Sequence, residues 1–182
     1  MNESLHTSDE GLELIRKDEG LCLTLNNDVD GNCQIGRGHL VHLGPIDGRP
    51  AEAVFAGGIT EAGAEDLFHT DVRKDGELMV QSLVHVALTQ SQYDGLVSFT
   101  YNEGAERLRD STLLRKLNAG DYQAVPDELR KWVYGDGKKL GGLVLRRAAE
   151  AELFARDLAK AAGLAADSPT VDVNTNQKGV SA

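Results

Sequence analysis

Two carboxylates near the start of the chain have the residue types and the spacing of an acid–base pair. Glu19 stands where a helix is predicted to end, and Asp28 follows nine residues later in a run typical of strand, turn and strand. Carboxyl groups in different surroundings acquire different pKa values, so one can donate a proton while the other stays ionised. The sequence therefore predicts that the rest of the chain holds Glu19 and Asp28 apart across a cleft.

The element that positions Glu19 is a helix predicted over residues 8–19. Thr7 and Glu10 fit a T-x-x-E capping box at the start of this helix. Gly20 is placed to end the helix in a left-handed turn.

Helical phase predicts the surroundings of Glu19. At 100° per residue this side chain falls between Leu12 and Ile15, on the face that should be buried. A carboxyl group on an apolar face loses solvation, so its pKa rises and it stays protonated for general-acid work. The alternative is that Glu19 pairs with an arginine from another part of the chain.

Residues 21–38 alternate and turn in the manner of a β-hairpin. Leucines alternate along the first strand, residues 27–32 have turn composition, and residues 33–35 return as a second strand. The D-x-D-G run also suggests a calcium loop. That interpretation is rejected, because the twelfth position counted from Asp28 is His39 rather than Glu.

The chain has two cysteines, Cys22 and Cys33. Two are too few for a disulfide framework, and no histidine stands at the spacing of a zinc ligand. Two semi-buried thiols and one disulfide across the hairpin both remain open. A nucleophilic role is not favoured, because no histidine has an obvious place beside either cysteine. We expect no metal and no other cofactor.

The sequence predicts one domain over residues 1–164, followed by a disordered tail over 165–182 that lacks any periodicity. The parts of the domain are a small lobe (about 12–60, ending in a loop over 40–59), a linking helix (about 60–81) and a helical lobe (about 82–162). Thr60 is the expected cap of the linking helix, which would form a spine between the lobes.

The helical lobe carries its own start and stop signals. Thr89 and Gln92 form a capping box, and Ser111 can cap a further helix. The last helix is predicted from about Gly142 to Ala162.

Composition narrows the class of function. The chain has 182 residues with a formal net charge of −10, which argues against a nucleic-acid binder. No apolar run approaches the ~18 residues of a membrane span. The polar, acidic start lacks the features of a signal peptide, so we expect synthesis in a cytoplasm and another route out of it.

Two ordered blocks of sequence carry a family resemblance. The first consists of L-I-R-K-D-E-G-L (14–21), D-V-D-G (28–31) and I-G-R-G-H-L (35–40). The second consists of L-T-Q-S-Q-Y-D-G-L-V-S-F-T-Y-N-E-G (88–104), S-T-L-L-R-K-L-N-A-G-D-Y (111–122) and G-L-V-L-R-R-A-A-E-A-E-L-F (142–154). Together they span about residues 10–155 and resemble the phage-type lysozymes, the muramidases of lambdoid and T-even bacteriophages.

The resemblance implies an α+β lysozyme fold, with a small β-hairpin lobe and a larger helical lobe joined by a long helix. It implies hydrolysis of the β-1,4 bond between N-acetylmuramic acid and N-acetylglucosamine in peptidoglycan. The protein would act as a phage or prophage endolysin or a virion lysin. It would be made in the bacterial host cytoplasm and act on periplasmic peptidoglycan after release, as a monomer without membrane insertion.

By position, Glu19 matches the family's general acid, and Asp28 matches the carboxylate that activates water or stabilises the transition state. The family's third residue, a Thr six positions after the Asp, is Gln34 here. An amide can donate and accept hydrogen bonds, but it is longer than Thr and can fill the place of the water.

Further residues acquire roles from the same resemblance. Tyr101, Asn102 and Arg146 are the expected substrate-binding residues. Tyr101 and Asn102 are candidates for the cleft wall, and Arg146 is favoured over the adjacent Arg147 as the arginine beside the general acid. His39 is interpreted as a structural ion-pair partner in the small lobe.

Two other functions remain open alongside the muramidase. One is a lysozyme-fold protein that binds cell wall but hydrolyses poorly because of Gln34. The other is the same catalytic domain used as an antibacterial toxin.

Overall fold

The computed structural model describes residues 2–17, 19–135 and 137–158, and its elements are those of an α+β protein. The helices are α1 (Asp9–Arg16), α2 (Glu61–Asp71), α3 (Leu78–Leu83), α4 (Gln90–Glu103), α5 (Ala105–Arg109), α6 (Thr112–Asn118), α7 (Val125–Leu129) and α8 (Gly141–Ala155). The strands are β1 (Cys22–Asn27), β2 (Cys33–Gly36), β3 (His39–His42), β4 (Tyr134–Gly135) and β5 (Lys138–Lys139). Two 3₁₀ helices (Pro50–Phe55 and Tyr122–Ala124) and a π-helical segment (Val72–Glu77) complete the described elements.

Helix α1 is shorter than predicted at both ends. Its N-cap is Ser8, whose hydroxyl accepts a hydrogen bond from the Gly11 N–H. The predicted capping box is wrong, because the Thr7 hydroxyl donates instead to the Glu77 carboxylate at 2.8 Å. Gly20 is not among the glycines with positive φ, so the predicted left-handed stop is also wrong.

The small lobe contains a three-stranded antiparallel sheet in the order β1-β2-β3, where a two-stranded hairpin was predicted. The third strand, β3, was assigned mostly to a loop, because four half-exposed residues give little alternation to detect. It returns beside β2 because Gly36 (φ 68°) and Gly38 (φ 82°) adopt the left-handed conformation that glycine tolerates.

The spine runs without a break from Glu61 to Leu83 through α2, the π-helical segment and α3. Its predicted cap is confirmed, because the Thr60 side chain accepts a hydrogen bond from the Gly63 N–H. Gly76 lies in the π-helical segment, where a Cβ would approach Val97 Cγ1 to 2.8 Å. Glycine therefore lets the spine pack closely on α4.

Helix α4 is the centre of the helical lobe, since every residue from 91 to 100 is buried. The capping box of Thr89 and Gln92 is present as predicted, and the helix ends at Gly104 (φ 87°). Helix α8 packs across α4 at Gly95, where a Cβ would lie 3.0 Å from the Glu150 carbonyl oxygen. Helix α8 ends at Ala155, earlier than predicted, and the predicted tail over 165–182 lies outside the described residues.

The hydrophobic core belongs to the helical side of the molecule. Its main cluster draws on α1, the spine and the helices that surround α4. Of residues 21–60, all described, only Cys33, Ile35, Gly36 and Glu52 are buried. The small lobe therefore has almost no apolar core of its own. Within the described ranges, no helix combines the length and the apolarity needed to cross a bilayer.

Candidate active site

Glu19 lies three residues beyond the end of α1, at a bend where its N–H donates to the Arg16 carbonyl at 3.1 Å. Glu19 therefore owes its position to this bend, and the position predicted from helical phase is wrong. The alternative interpretation holds, because Nη1 of Arg146 lies 3.4 Å from Oε1 of Glu19. The Glu19 side chain is 22% exposed and that of Arg146 only 5%, so the arginine meets the carboxylate from the protein side.

A cavity of about 460 Å³ opens beside Glu19. Its lining residues are Glu19, Gln34, Gly38, His39, Leu40, Asp71, Lys74, Asp75, Tyr101 and Asn102. They come from the small lobe, the spine and α4, so the cavity is the cleft between the lobes. The structure thus brings together four of the predicted site residues, Glu19, Gln34, Tyr101 and Asn102.

Gly38 brings the β2–β3 turn against the candidate acid. A Cβ at this position would lie 3.2 Å from Oε2 of Glu19, and its φ of 82° also favours glycine. The Tyr101 hydroxyl donates to the Arg37 carbonyl at 3.4 Å, which ties the same turn to α4. The G-R-G pattern predicts Gly38 only as a flexible position that closes the hairpin, and not its contact with Glu19.

Asp28 does not line the cavity; its carboxylate holds the β1–β2 turn. Oδ1 accepts from the N–H groups of Asp30 at 2.9 Å and Asn32 at 2.8 Å, and Oδ2 accepts from the Asn32 amide at 3.2 Å. These hydrogen bonds, the Asn32 N–H foremost, lower the pKa of Asp28 below its ordinary value. Asp28 is therefore a carboxylate that stays ionised.

Gln34 is the β2 residue that reaches the cavity. It is half-buried and pairs with Asn26 of β1 and Leu40 of β3 in the sheet register. Its amide and the Glu19 carboxylate line the same space, so an amide stands where it can hold or displace a water.

His39 and Asp71 are hydrogen-bonded at the cavity wall, where Nδ1 of His39 lies 2.8 Å from Oδ2 of Asp71. This confirms the interpretation of His39 as a structural partner. Burial raises the pKa of Asp71, and the hydrogen bond from His39 opposes that rise. Asp71, Lys74 and Asp75 were missed by sequence reasoning, although their spacing of three and four residues puts them on one helical face.

Asn102 is held in place by the fully buried Arg147. The guanidinium donates to the Asn102 amide oxygen, to Glu103 at 3.2 Å and to the carboxylate of Glu150. The two neighbouring arginines of α8 therefore have different partners at the cleft. Arg146 contacts Glu19, and Arg147 holds Asn102.

Both cysteines are free thiols, so the disulfide alternative is not realised. Cys33 is fully buried and lies opposite His42 in the β2–β3 register. The prediction that no histidine stands beside a cysteine is therefore wrong. It failed because β3, which carries His42, was not recognised as a strand.

Comparison with known proteins identifies the family of this chain. A family model described as phage lysozyme matches residues 16–150. The chain therefore belongs to the phage lysozyme family.

Individual relatives agree with the family assignment. The chain is 36% identical over 154 residues to an endolysin of Acyrthosiphon pisum secondary endosymbiont phage 1, a match that covers 82% of this chain and 98% of the relative. It is 40% identical over 154 residues to an endolysin of Bacillus phage B103, but the chain spans only 54% of that relative's length.

A solved structure supports the fold. The muramidase domain of SpmX from Asticaccaulis excentricus superposes with a TM-score of 0.68 at 32% identity, covering 82% of this chain and 97% of the domain. The predicted lysozyme-like α+β fold is thereby confirmed.

Proposed function

We propose that this protein is a muramidase that hydrolyses the β-1,4 bond between N-acetylmuramic acid and N-acetylglucosamine in peptidoglycan, and that it serves as a phage or prophage endolysin or a virion lysin. The observation that carries the proposal is the position of Glu19. Its carboxyl group opens on the inter-lobe cavity, and its other side is held by the buried Arg146. Membership of the phage lysozyme family and the endolysin relatives support the same function.

Glu19 is the proposed general acid. A glycan strand bound in the cleft presents its glycosidic oxygen to the Glu19 carboxyl group, which donates a proton as the bond to the leaving sugar breaks. The nearby Arg146 guanidinium compensates the carboxylate that remains after proton transfer.

Asp28 and Gln34 are proposed to serve the other half of the reaction. The lowered pKa of Asp28 suits a group that stays anionic beside an oxocarbenium-like transition state. Gln34 faces the same space as Glu19, where its amide can orient the attacking water. The wider carboxylate separation of inverting enzymes leaves room for that water.

Tyr101 and Asn102 are proposed to bind the sugars. Both line the cavity, and Arg147 holds the Asn102 side chain through its amide oxygen. The N–H groups of the Asn102 amide can therefore donate hydrogen bonds to the substrate, for example to a sugar hydroxyl or an acetamido oxygen.

The direct test compares the wild type with Glu19→Gln, which keeps the size of the side chain and removes the proton. Released reducing ends from purified peptidoglycan and clearing of permeabilised Gram-negative cells are the measurements. We expect Glu19→Gln to lose at least ~100-fold of activity. Glu13→Gln is the matched control, because Glu13 is an exposed residue of α1 that pairs with Arg16 on the surface. Equal rates for the wild type and Glu19→Gln would contradict the proposed muramidase activity.

Asp28→Asn tests the second carboxylate, with Asp30→Asn in the same turn as its control. We expect Asp28→Asn to lose ~100-fold or more in rate while peptidoglycan binding remains. If the activity of Asp28→Asn falls only in proportion to the amount of folded protein, Asp28 stabilises the turn and has no catalytic role.

A second candidate function, cell-wall binding without efficient hydrolysis, is favoured by one observation. Gln34 occupies the cavity beside Glu19, whereas Asp28 does not line it. Co-sedimentation with peptidoglycan without release of reducing ends would identify this class.

A further inference from the structure

A second cluster of chemically active side chains lies in the small lobe, outside the cleft cavity. Sγ of Cys33, a ring nitrogen of His42 and a carboxylate oxygen of Glu52 all lie within 4.8 Å of one another. None of these residues lines the cavity beside Glu19. We propose that Cys33, His42 and Glu52 bind a zinc ion.

The three ligands come from three different elements. Cys33 begins β2, His42 ends β3, and Glu52 lies in the 3₁₀ helix Pro50–Phe55. The sheet register pairs Cys33 with His42 directly. The site therefore exists only in the folded lobe, where it would join the sheet to the segment that follows it.

The donor set selects the type of metal. Thiolate sulfur and imidazole nitrogen are ligands of zinc and other borderline or soft ions, whereas magnesium and calcium take oxygen. Ligand atoms around a tetrahedral zinc lie ~3.5 Å apart. Nε2 of His42 and Oε1 of Glu52 are 2.8 Å apart, and all the ligand atoms lie within 4.8 Å of one another, so shifts of ~1 Å seat the ion.

The surroundings orient the ligands as in known metal sites. Nδ1 of His42 is 3.0 Å from the Leu43 carbonyl oxygen, a hydrogen bond that fixes the ring and places a hydrogen on Nδ1. Nε2 donates to Oε1 of Glu52 at 2.8 Å, so this nitrogen and this carboxylate would exchange their hydrogen bond for the metal. The Glu52 carboxylate accepts N–H groups from Asp47 and Gly48, each at 2.9 Å, which fixes its direction. Hydrogen-bonded ligating carboxylates and histidines are the usual outer shell of such sites.

Burial and charge favour a cation at this place. Cys33 is fully buried, Glu52 is 6% exposed, and the His42 side chain is 11% exposed. The Glu52 and Asp47 carboxylates place negative charge near the Cys33 sulfur, and the Arg49 guanidinium partly offsets it. When zinc binds, the Cys33 S–H proton and the Nε2 proton of His42 both pass to solvent as the sulfur–zinc and nitrogen–zinc bonds form.

Zinc has a route to the cluster and a place for a fourth ligand. Glu52 also lines a surface depression of about 260 Å³, between Leu25 and the 3₁₀ helix. A water entering from this depression completes the tetrahedron, as in sites with three protein ligands.

The small lobe has little apolar core to stabilise it, so a cross-link through a metal ion would add to its stability. Of its residues 21–60, only four are buried, and two of these are Cys33 and Glu52. Small units with little apolar core are commonly held together by disulfides or structural metals. Cys22 and Cys33 form no disulfide, so the metal would supply the cross-link.

Zinc binding to the full-length chain tests the proposal. The protein is freed of metal with a chelator under reducing conditions and titrated with Zn²⁺ by calorimetry, and with Co²⁺ by absorption spectroscopy. We expect one ion per chain, a sulfur-to-cobalt charge-transfer band, and slower amide hydrogen exchange over residues 22–59 when Zn²⁺ is bound. Glu19→Gln should bind zinc as the wild type does, which separates this site from the proposed hydrolysis.

Variants decide which residues hold the ion. Cys33→Ser, His42→Gln and Glu52→Gln should each weaken zinc binding by at least ~100-fold, since even outer-shell changes cost ~10–100-fold. Cys22→Ser removes the other thiol and should leave affinity and the cobalt band intact. Circular dichroism establishes that each variant is folded. If Cys33→Ser does not fold, the cobalt band in Cys22→Ser decides the sulfur ligand.

Three results would overturn the proposal. They are the absence of stoichiometric zinc binding in the wild type, undiminished binding in folded Cys33→Ser, and loss of the cobalt band in Cys22→Ser.

Discussion

Nη1 of Arg146 lies 3.4 Å from Oε1 of Glu19, so α8 supports the candidate acid from behind the wall of the cleft. Arg146 does not line the cavity, and its side chain is only 5% exposed. We therefore expect Arg146 to act through Glu19 rather than on the substrate, as a positioning residue.

This geometry predicts that Arg146→Gln lowers kcat by roughly 10- to 100-fold, the equivalent of one hydrogen bond to a charged group. KM should change little, because the residue does not face the sugar, and Arg146→Lys should restore part of the rate. Steady-state kinetics on soluble glycan fragments measure both constants. Arg109→Gln, at the exposed end of α5, is the control. A rise in KM with unchanged kcat would place Arg146 in substrate binding instead.

Gln34 supports a second prediction, because its amide and the Glu19 carboxylate face one cavity. Thr is shorter, and its hydroxyl can still hydrogen-bond the attacking water, so Gln34→Thr should hold that water with more room and raise the hydrolysis rate several-fold. Gln34→Asn keeps the amide and shortens the side chain, which separates size from hydrogen bonding. A loss of ~100-fold in Gln34→Thr would show instead that the amide itself activates the water. The anomer of the first product, read by NMR, reports whether the reaction inverts in each variant.

Glu65 links the two sides of the small lobe and predicts a pH dependence of stability. Its carboxylate accepts from Arg16 at the end of α1 and from Arg37 in the β2–β3 turn at 3.3 Å. The hydrogen bond from Arg16, followed by that from Arg37, holds the pKa of Glu65 below its usual 4.5. A lowered pKa in the folded state stabilises the fold above pH 4.5, and this contribution is lost as the pH falls through the folded pKa.

We therefore expect Glu65→Gln to lower the free energy of unfolding by ~1 kcal/mol at neutral pH, a figure already reduced because the side chain is 33% exposed. That loss corresponds to a decrease of ~2–4 °C in Tm. The difference between the variant and the wild type should shrink toward zero at acidic pH. Asp66→Asn, an exposed neighbour, is the control. A difference that persists below the folded pKa would mean that packing, not charge, explains the effect.

Local signals in the sequence are enough to predict the elements whose ends are set by nearby residues. The Thr60 and Thr89 caps and the burial of Ile15 follow from spacing within one or two turns. Strand β3 and the Gly38 contact with Glu19 depend on pairing and approach across the lobe, which no local pattern encodes.

The candidate site likewise combines features that local sequence predicts with contacts between distant residues that it does not predict. The types of Glu19 and Asp28 indicate acid–base chemistry. The hydrogen-bond partners of Asp28 are neighbours in its own turn, whereas the surroundings of Glu19 come from elsewhere in the chain. Glu19 owes its place to a bend after α1 and to Arg146, 127 residues away, rather than to helical phase. Whether Arg146 or Arg147 would face Glu19 depends on how α8 packs against α4, and a spacing of one residue in the sequence does not decide it.

The buried pair of Arg147 and Glu150 supports the last prediction. Both side chains are fully buried, and Glu150 also accepts from the Ser98 hydroxyl at 2.7 Å. Burial raises the pKa of Glu150, and the charge of Arg147 opposes that rise. Removing one partner of a buried ion pair costs ~3–5 kcal/mol. Nε of Arg146 also lies 3.5 Å from Oε1 of Glu150 and compensates part of its charge, so the lower end of that range applies here.

Arg147→Met should therefore lower Tm by roughly 10 °C, given ~2–4 °C per kcal/mol in a chain of this size. Because Arg147 also holds Asn102 at the cleft wall, folded Arg147→Met should in addition raise KM for the glycan. Scanning calorimetry and steady-state kinetics measure the two effects. Arg156→Gln is the matched control, since it breaks an Arg–Glu pair on the surface, with Glu10, and should leave Tm nearly unchanged. Equal shifts of Tm in the two variants would show that the buried pair contributes no more to stability than an exposed one.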